Sequence, residues 1–404
     1  MFIKEVIPSI IKDSREENTI QIEIDTLKGK FISSAPSGKS KGEYEAPAYS
    51  SRGIHWDLRL LKIFAEKIKN KNFFIEDFEG LGELDNLIKN FENQYESLGA
   101  NSTYTLQTAF LKAAAKENQK ELWEFVKLKK VKPKIPMPIG NCIGGGMHSH
   151  GLPKPDFQEF LLISEETSFA KAVTKNYHAY ESAKKLIKQK EKKLFLSVND
   201  EHAWRTSLNN EDALEILNEV ADKFGLKIGL DIAASTFFDS KGYYHYDNKR
   251  FAMDREEHLN YMRNLIKKYD LFYIEDLMWD NDFSGFSELN SSQKRLIVGD
   301  DLTATNAERL DMAVQGESIN AMIIKPNQNG SLLEVAKIVK MCKEHKIKII
   351  FSHRSGETMD DALADYAVGF GADYIKTGIA GKERLVKLRR IIEIEKSTRW
   401  KFLS

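Results

Sequence analysis

RLIVGD, residues 295–300, is one of six short apolar runs that each end in a charged or ionisable side chain. The other five are KIGLD (227–231), LFYIED (271–276), AMIIK (321–325), KIIFSH (348–353) and DYIK (373–376). From Glu275 onward the terminal residues follow one another at intervals of 25, 25, 28 and 23 residues, each the length of one strand and one helix. This alternation indicates βα units on a parallel sheet. In a β/α barrel all strand ends meet at one mouth, so we expect the six terminal side chains to gather there.

The chain before this region is organised differently. TIQIEIDT (19–26) alternates apolar and polar residues and predicts a half-exposed strand. Helical spacing predicts helices from Asp57 to Asn70, from Leu81 to Ser97 and from Thr105 to Lys127. KKVKPKIPMP (129–138) contains three prolines and is typical of a linker, so we place a domain boundary there.

Composition excludes several classes of function. The chain has 404 residues and a formal net charge of zero, so bulk charge does not attract it to nucleic acid or to an anionic membrane. No apolar run reaches the roughly 18 residues that a membrane span needs. The N-terminal segment has no long apolar core, which argues against a signal peptide. Cys142 and Cys342 stand in apolar runs as small core residues, and we expect a reducing, cytoplasmic location.

Three strand-end carboxylates, Asp231, Glu275 and Asp300, predict a metal site. Carboxylates that converge at one mouth repel one another and need a cation among them. Oxygen ligands favour a hard cation, and Mg²⁺ leaves coordination positions open for water and substrate. The alternative is that the carboxylates form structural ion pairs with lysines.

Basic residues follow on the later strands. Lys325 and Lys376 end buried strands, and two ammonium groups near a metal should lower each other's pKa, which would allow one to act as a general base. The alternative is a pair of surface lysines. Arg354, with Ser355 and His353, offers donors for a phosphate or carboxylate. The Gly- and Ser-rich loop 37–42 is suited to close over such a ligand, or is simply a loop.

These residues resemble the enolase (phosphopyruvate hydratase) family over nearly the whole chain. The most specific stretches are FSHRSGET (351–358), VGDDLTATN (298–306), IKPNQNGSL (324–332), IKTG (375–378), YIED (273–276) and IGLD (228–231). The resemblance implies a small α+β cap domain (1–134) before an eight-stranded β/α barrel (135–404) that begins β–β–α–α and then repeats βα. It puts the first barrel strands near 137–142 and 157–163. It also puts LFLSV (194–198) between two helices, although periodicity alone predicts a strand there.

The resemblance also implies a role for each site residue. Lys325 is the base that takes the C2 proton, and Glu201 assists loss of the C3 hydroxyl. The other residues that match catalytic positions are Glu159, His148 and His353. Those that match substrate-binding positions are Lys376 for the carboxylate, Arg354 and Ser355 for the phosphate, and Gln158 and Ser352. Those that match metal ligands are Asp231, Glu275 and Asp300 for one Mg²⁺, and Ser40 for a second Mg²⁺ recruited with substrate.

Several loops depart from the family pattern. His150 and His202 replace glycines, and either contact a larger substrate or are neutral changes in loops. The resemblance implies a magnesium-dependent lyase that interconverts 2-phosphoglycerate and phosphoenolpyruvate, as a homodimer or larger homo-oligomer. The alternatives are the same chemistry on another phosphorylated or carboxylated hydroxy acid, and a non-catalytic binding protein with this fold.

Overall fold

A computed structural model of the chain describes residues 1–39, 42–149, 153–192, 195–290 and 294–398. The chain begins with a three-stranded antiparallel sheet followed by helices. Alternate residues of the middle strand, Ile20, Ile22 and Ile24, are fully buried, which confirms the predicted strand. The elements of this first part are β1 (Ile3–Lys12), β2 (Asn18–Thr26), β3 (Gly29–Ser34), α1 (Ile54–Ile68), α2 (Leu81–Glu92), α3 (Ala100–Glu117) and α4 (Leu122–Phe125).

The three predicted helices differ from the observed ones at their ends, by two or three residues for α1 and by more for the other two. α2 stops at Glu92, whose side chain accepts a hydrogen bond from the backbone N–H of Leu98 at 2.9 Å, so the intervening residues turn back. The helix predicted from Thr105 to Lys127 is two helices, α3 and α4. Gln119 between them has a φ of 53°, which a right-handed helix cannot accommodate.

The second part is a closed barrel of eight strands. β12 pairs with β4 and closes the sheet, and β5 runs antiparallel to both of its neighbours. The predicted β–β–α–α start followed by βα repeats is thereby confirmed. The barrel strands are β4 (Met137–Gly144), β5 (Glu159–Ile163), β7 (Lys227–Asp231), β8 (Tyr273–Glu275), β9 (Leu296–Gly299), β10 (Ala321–Ile324), β11 (Lys348–Ser352) and β12 (Tyr374–Lys376), and a two-residue strand, β6 (Trp204–Arg205), adds to the edge of β4.

Helices surround the barrel. They are α5 (Phe169–Lys190), α6 (Asn210–Phe224), α7 (Arg255–Tyr269), α8 (Phe283–Leu289), α9 (Ala307–Gln315), α10 (Pro326–Asn329), α11 (Leu332–Glu344), α12 (Ala362–Gly369) and α13 (Lys382–Thr398). Residues 195–198 of LFLSV lie between α5 and α6 and form a single bridge, from Val198 to Trp204, as the resemblance implies; Leu194 is outside the described residues. No helix in the described ranges is both long and apolar enough to cross a membrane.

The core has two layers. Inside the barrel, alternate strand residues such as Leu161, Tyr273 and Val298 form a closed apolar cluster beneath the mouth. A larger apolar cluster lies between the barrel and its helices and extends into the first part of the chain. Both cysteines are buried there, as predicted.

Helix α3 joins the first part of the chain to the barrel. Gln107 accepts a hydrogen bond from the backbone N–H of Leu332 at 2.8 Å, and Asn101 accepts one from the Asn327 side chain at 2.9 Å. Because Asn327 is two residues after Lys325, the α3 contacts reach the mouth of the barrel.

Candidate active site

The six strand-end residues are brought to one mouth. β7, β8 and β12 end at Asp231, Glu275 and Lys376, while the other three residues come directly after β9, β10 and β11. The predicted residues that line one cavity at this mouth are His148, Gln158, Glu159, Glu201, Asp231, Asp300, Lys325, Ser352, His353, Arg354, Ser355 and Lys376. Glu275 is fully buried beside it, and Ser40 lies outside the described residues.

Lysine–carboxylate ion pairs form at the mouth, as one of the sequence alternatives allowed. The Lys376 Nζ atom is 2.7 Å from Glu275 Oε2, 3.0 Å from Asp231 Oδ2 and 3.4 Å from Glu159 Oε2. Lys325 pairs with Oδ2 of Asp300. Each ion pair uses one oxygen of its carboxylate.

The second oxygen of each of the three predicted metal-binding carboxylates has no hydrogen-bond partner among the described residues. Oδ1 of Asp231, Oε1 of Glu275 and Oδ1 of Asp300 are buried and accept no hydrogen bond from any described group. Seven carboxyl groups line the cavity against four Lys or Arg side chains. Burial, and then the charge of Asp231, raise the pKa of Glu275 well above its usual range. Buried oxygens without donors and an excess of carboxyl groups fit a hard divalent cation.

A tighter acidic cluster was missed by the sequence reasoning. Asp276, Asp300 and Asp301 each offer an oxygen within 4.8 Å of the others, close enough to hold a metal ion. Asp276 also accepts hydrogen bonds from the backbone N–H groups of Asp300 at 3.0 Å and Asp301 at 2.7 Å, and so fixes the end of β9. The neighbouring pairs of acidic residues at 275–276 and 300–301 could have indicated this cluster from the sequence.

The predicted lowering of the lysine pKa values beside a metal ion stays a prediction, and in the ion pairs at the mouth both lysine pKa values are raised. Burial acts to lower the pKa of Lys325, but the neighbouring carboxylates, Asp300 first and Asp301 with it, together outweigh burial and the pKa is raised. Burial also acts to lower the pKa of Lys376. The carboxylates around it have the opposite effect, and together they raise that pKa well above its usual value. Each ammonium contacts a carboxylate directly, so attraction exceeds repulsion between the lysines.

A second group of ionisable side chains occupies another side of the cavity. The His148 Nδ1 atom is 3.4 Å from Glu201 Oε1 and 4.0 Å from Glu159 Oε1, and the His353 Nε2 atom is 3.8 Å from Glu201 Oε2. Asn141, which the sequence did not suggest, donates a hydrogen bond to Glu201 at 3.1 Å.

The pKa values of the two glutamates in this group are shifted in opposite directions. Burial, and then the charge of Glu201, raise the pKa of Glu159 well above its usual range. Burial acts to raise the pKa of Glu201 too, but His148 and His353 hold it well below its usual range. Of the two glutamates, Glu159 therefore holds a proton more readily than Glu201.

Arg354 and Ser355, the predicted phosphate-binding residues, have partners that the sequence did not predict. The Arg354 guanidinium donates hydrogen bonds to both oxygens of Glu45 at 3.1 and 2.9 Å. The Ser355 hydroxyl accepts hydrogen bonds from the backbone N–H of Lys39 at 2.9 Å and from Arg15 at 2.8 Å. No pattern in the loop around Glu45 marked it as the partner of a residue more than 300 positions away.

The two remaining substrate-binding candidates are held by nearby groups. Gln158 donates a hydrogen bond to Asp231 at 3.3 Å, and its backbone N–H donates to the Asp231 carbonyl at 3.0 Å. The Ser352 hydroxyl donates to the carbonyl of His353 at 3.1 Å.

His202 does not contact the cavity. It lines a separate surface groove with Lys382 and Glu383, and its ring packs over Gly381. The position of His202 therefore gives no support for a larger substrate. His150 lies outside the described residues.

Comparisons with known proteins agree with this geometry. Residues 3–126 match the family described as "Enolase, N-terminal domain", and residues 132–400 match "Enolase, C-terminal TIM barrel domain". The chain is 37% identical to the enolase of Methanosphaera stadtmanae over 95% of this chain and 94% of that one. It is 36% identical to the enolase of Archaeoglobus fulgidus over 98% and 97% of the two chains, and 36% identical to that of Methanothermobacter thermautotrophicus over 95% and 94%. Similarity of this extent, across both parts of the chain, shows that it belongs to the enolase family.

Proposed function

We propose that this chain interconverts 2-phosphoglycerate and phosphoenolpyruvate at the mouth of its barrel, as a magnesium-dependent lyase. One observation carries the proposal: a single cavity is lined by buried lysines paired with carboxylates, by the histidines and glutamates around Glu201 (the His/Glu group), and by Arg354. Removal of a proton next to a carboxylate, loss of a β-hydroxyl and recognition of a phosphate need these three functions. Family membership along the whole chain supports the same reaction.

Lys325 takes the C2 proton in this proposal. Asp231, Glu275 and Asp300 hold one Mg²⁺, and Ser40 contributes to a second that is recruited with substrate. Mg²⁺ held by these residues would supply positive charge that offsets the charge developing on the substrate carboxylate, and would compete with Lys325 for Asp300. This base-and-magnesium chemistry is a known solution for enediolate formation.

The His/Glu group removes the hydroxyl. In this proposal Glu201 assists loss of the C3 hydroxyl, and Glu159, which holds a proton more readily than Glu201, is the source of the proton. Delivery of that proton to the C3 hydroxyl lets it leave as water, and the electron pair from the C2–H bond forms the C2–C3 double bond. His148 and His353 orient the carboxyl groups.

The remaining residues hold the substrate. Lys376 and Gln158 bind at the carboxylate end, and Arg354, Ser355 and Ser352 bind at the phosphate end. Arg354 suits phosphate because its planar group offers several N–H donors to one anion.

The larger-scale predictions also stay proposals. The chain divides into a cap domain at 1–134 and a barrel at 135–404. It assembles as a homodimer or larger homo-oligomer. A cytoplasmic location is consistent with its two buried thiols.

The direct test is to mix the purified protein with Mg²⁺ and 2-phosphoglycerate and to follow the ultraviolet absorbance of phosphoenolpyruvate. Turnover that stops with a chelator supports the proposal. No turnover, together with Mg²⁺-dependent exchange of an α-proton on another hydroxy acid, would assign a different substrate.

A lysine variant tests the mechanism. We expect Lys325→Ala to abolish exchange of the C2 proton with solvent, while Mg²⁺ binding persists because the variant removes a cation that competes for Asp300. Lys337→Ala is the matched control, since Lys337 is an exposed lysine of α11. Exchange that persists in Lys325→Ala would show that another group is the base.

A further inference from the structure

We infer that Glu45 limits the affinity of the site for the phosphoryl group, because it is a fixed counter-charge on Arg354. The inference rests on the proposed assignment of Arg354 to that group. It adds a residue from the first part of the chain to the determinants of substrate affinity.

Arg354 and Glu45 are both nearly inaccessible to solvent. Their side chains are 5% and 9% exposed, and one guanidinium nitrogen of Arg354, Nη2, donates to both carboxylate oxygens. A buried guanidinium without a counter-charge is costly, so Glu45 stabilises the protein when no anionic ligand is bound.

Glu45 is also anchored independently of Arg354. Its Oε1 atom accepts hydrogen bonds from the backbone N–H of Gly42 at 3.0 Å and from the side chain of Gln328 at 3.2 Å. Gln328 in turn accepts a hydrogen bond from Thr305 at 2.6 Å, and its carbonyl accepts one from the backbone N–H of Ala46 at 2.9 Å. These contacts hold the carboxylate in place whether or not Arg354 binds another anion.

A phosphoryl group that binds Arg354 therefore meets a negative charge that does not leave. Two anions share one guanidinium, and their repulsion weakens binding. Substrate and product both carry the phosphoryl group, so Glu45 lowers the affinity for both and favours their dissociation.

The test is to remove the charge and keep the shape. Glu45→Gln retains an acceptor for Gly42 and Gln328. We expect this variant to bind inorganic phosphate, in the presence of Mg²⁺, ~10-fold more tightly by titration calorimetry, and to show a lower KM for 2-phosphoglycerate. Its unfolding temperature without phosphate should fall, and the rise on adding phosphate should be larger than for the parent protein. Glu43→Gln is the control, because Glu43 is an exposed acid of the same segment that influences Arg309 and Asp280.

A second variant separates failure of this inference from failure of the proposed site. Arg354→Gln should lose phosphate binding. Parent-like phosphate binding by Arg354→Gln would overturn the assignment of the phosphate to Arg354. If Arg354→Gln loses binding but Glu45→Gln binds phosphate equally or more weakly, the assignment stands and the role given to Glu45 is wrong. Should Glu45→Gln not fold, Glu45→Asp must tighten phosphate binding, since its shorter side chain draws the charge away from Arg354; unchanged or weaker binding overturns the inference.

Discussion

Gly38 passes so close to Arg354 that no side chain fits between them. A Cβ atom at Gly38 would lie 1.8 Å from the Arg354 Nη2 atom, inside any possible contact distance. Arg354 has little room to retreat, because it is buried and bound to Glu45. The absence of a side chain at position 38 is therefore part of how the Arg354 side chain is positioned.

Gly38→Ala should displace Arg354. We expect kcat/KM for 2-phosphoglycerate to fall by about 10- to 100-fold, since small misplacements of a binding group cost that much. Gly82→Ala in α2 is the control, because a Cβ there meets no atom within 4 Å and its kinetics should match the parent protein. Parent-like kinetics in Gly38→Ala would mean that Arg354 moves without consequence and is not a binding group.

A buried histidine of helix α7 contacts residues outside the helix on two strand-connecting segments of the barrel. The His258 ring lies 3.8 Å from the Tyr244 ring, its Nδ1 atom is 2.9 Å from the Tyr246 hydroxyl, and its Nε2 atom is 2.7 Å from the carbonyl of Leu277. Burial lowers the pKa of His258 to about 4, and the Leu277 carbonyl and Asp282 oppose that change only in part. The neutral ring donates from Nε2 and accepts from Tyr246.

This histidine should make the protein's stability depend on pH. The unfolded chain binds the His258 proton near pH 6.5 and the folded chain near pH 4, so the contribution is present above pH 6.5 and is lost as pH falls toward 4. From about pH 6.5 to about pH 5, the parent protein should lose about 1.6 kcal/mol more free energy of unfolding than His258→Gln. Urea titrations at the two pH values measure this difference, and His345→Gln, at an exposed histidine of the α11 terminus, should behave like the parent. Equal pH dependence in parent and His258→Gln would contradict a neutral buried ring.

Carboxyl groups are concentrated in the cavity at the barrel mouth, although the net charge of the whole molecule is zero. The cavity draws its carboxyl groups from both parts of the chain, with Glu45 from the first part and six others from the barrel. Folding therefore brings together like charges that are far apart in the extended chain, and a cation that binds only the folded form should stabilise the whole structure.

Magnesium should accordingly raise the stability of the protein. At about 100 times its dissociation constant, Mg²⁺ should add about 2.7 kcal/mol to the free energy of unfolding, and a chelator should reverse the gain. Asp231→Asn should reduce the gain, and Glu344→Gln, at an exposed acid, should not. Thermal unfolding with and without Mg²⁺ measures both, and an undiminished gain in Asp231→Asn would remove that residue from the ligand set.

Local pattern was sufficient for the βα repeats from β7 onward and for the six strand-end residues, whereas the first barrel strands and site residues such as Glu159 and Glu201 came only from the family resemblance. The spacing of strand-end residues such as Asp300 and Lys325 reflects the fixed length of a βα unit, so it can be read along the chain. Helix ends were less predictable: α2 stops at Glu92 because of a contact with Leu98, which no periodicity encodes.

The sequence by itself determined which ionisable groups stand at strand ends, because strand period and unit length are local properties of the chain. Only the tertiary structure decided their partners: Glu45 on Arg354, Asp276 beneath Asp300, and Lys376 among three carboxylates. The neighbouring carboxylates raise the pKa values of Lys325 and Lys376. The physical reason is that electrostatic interaction depends on distances of a few ångströms and on burial, which are fixed only when remote segments pack together.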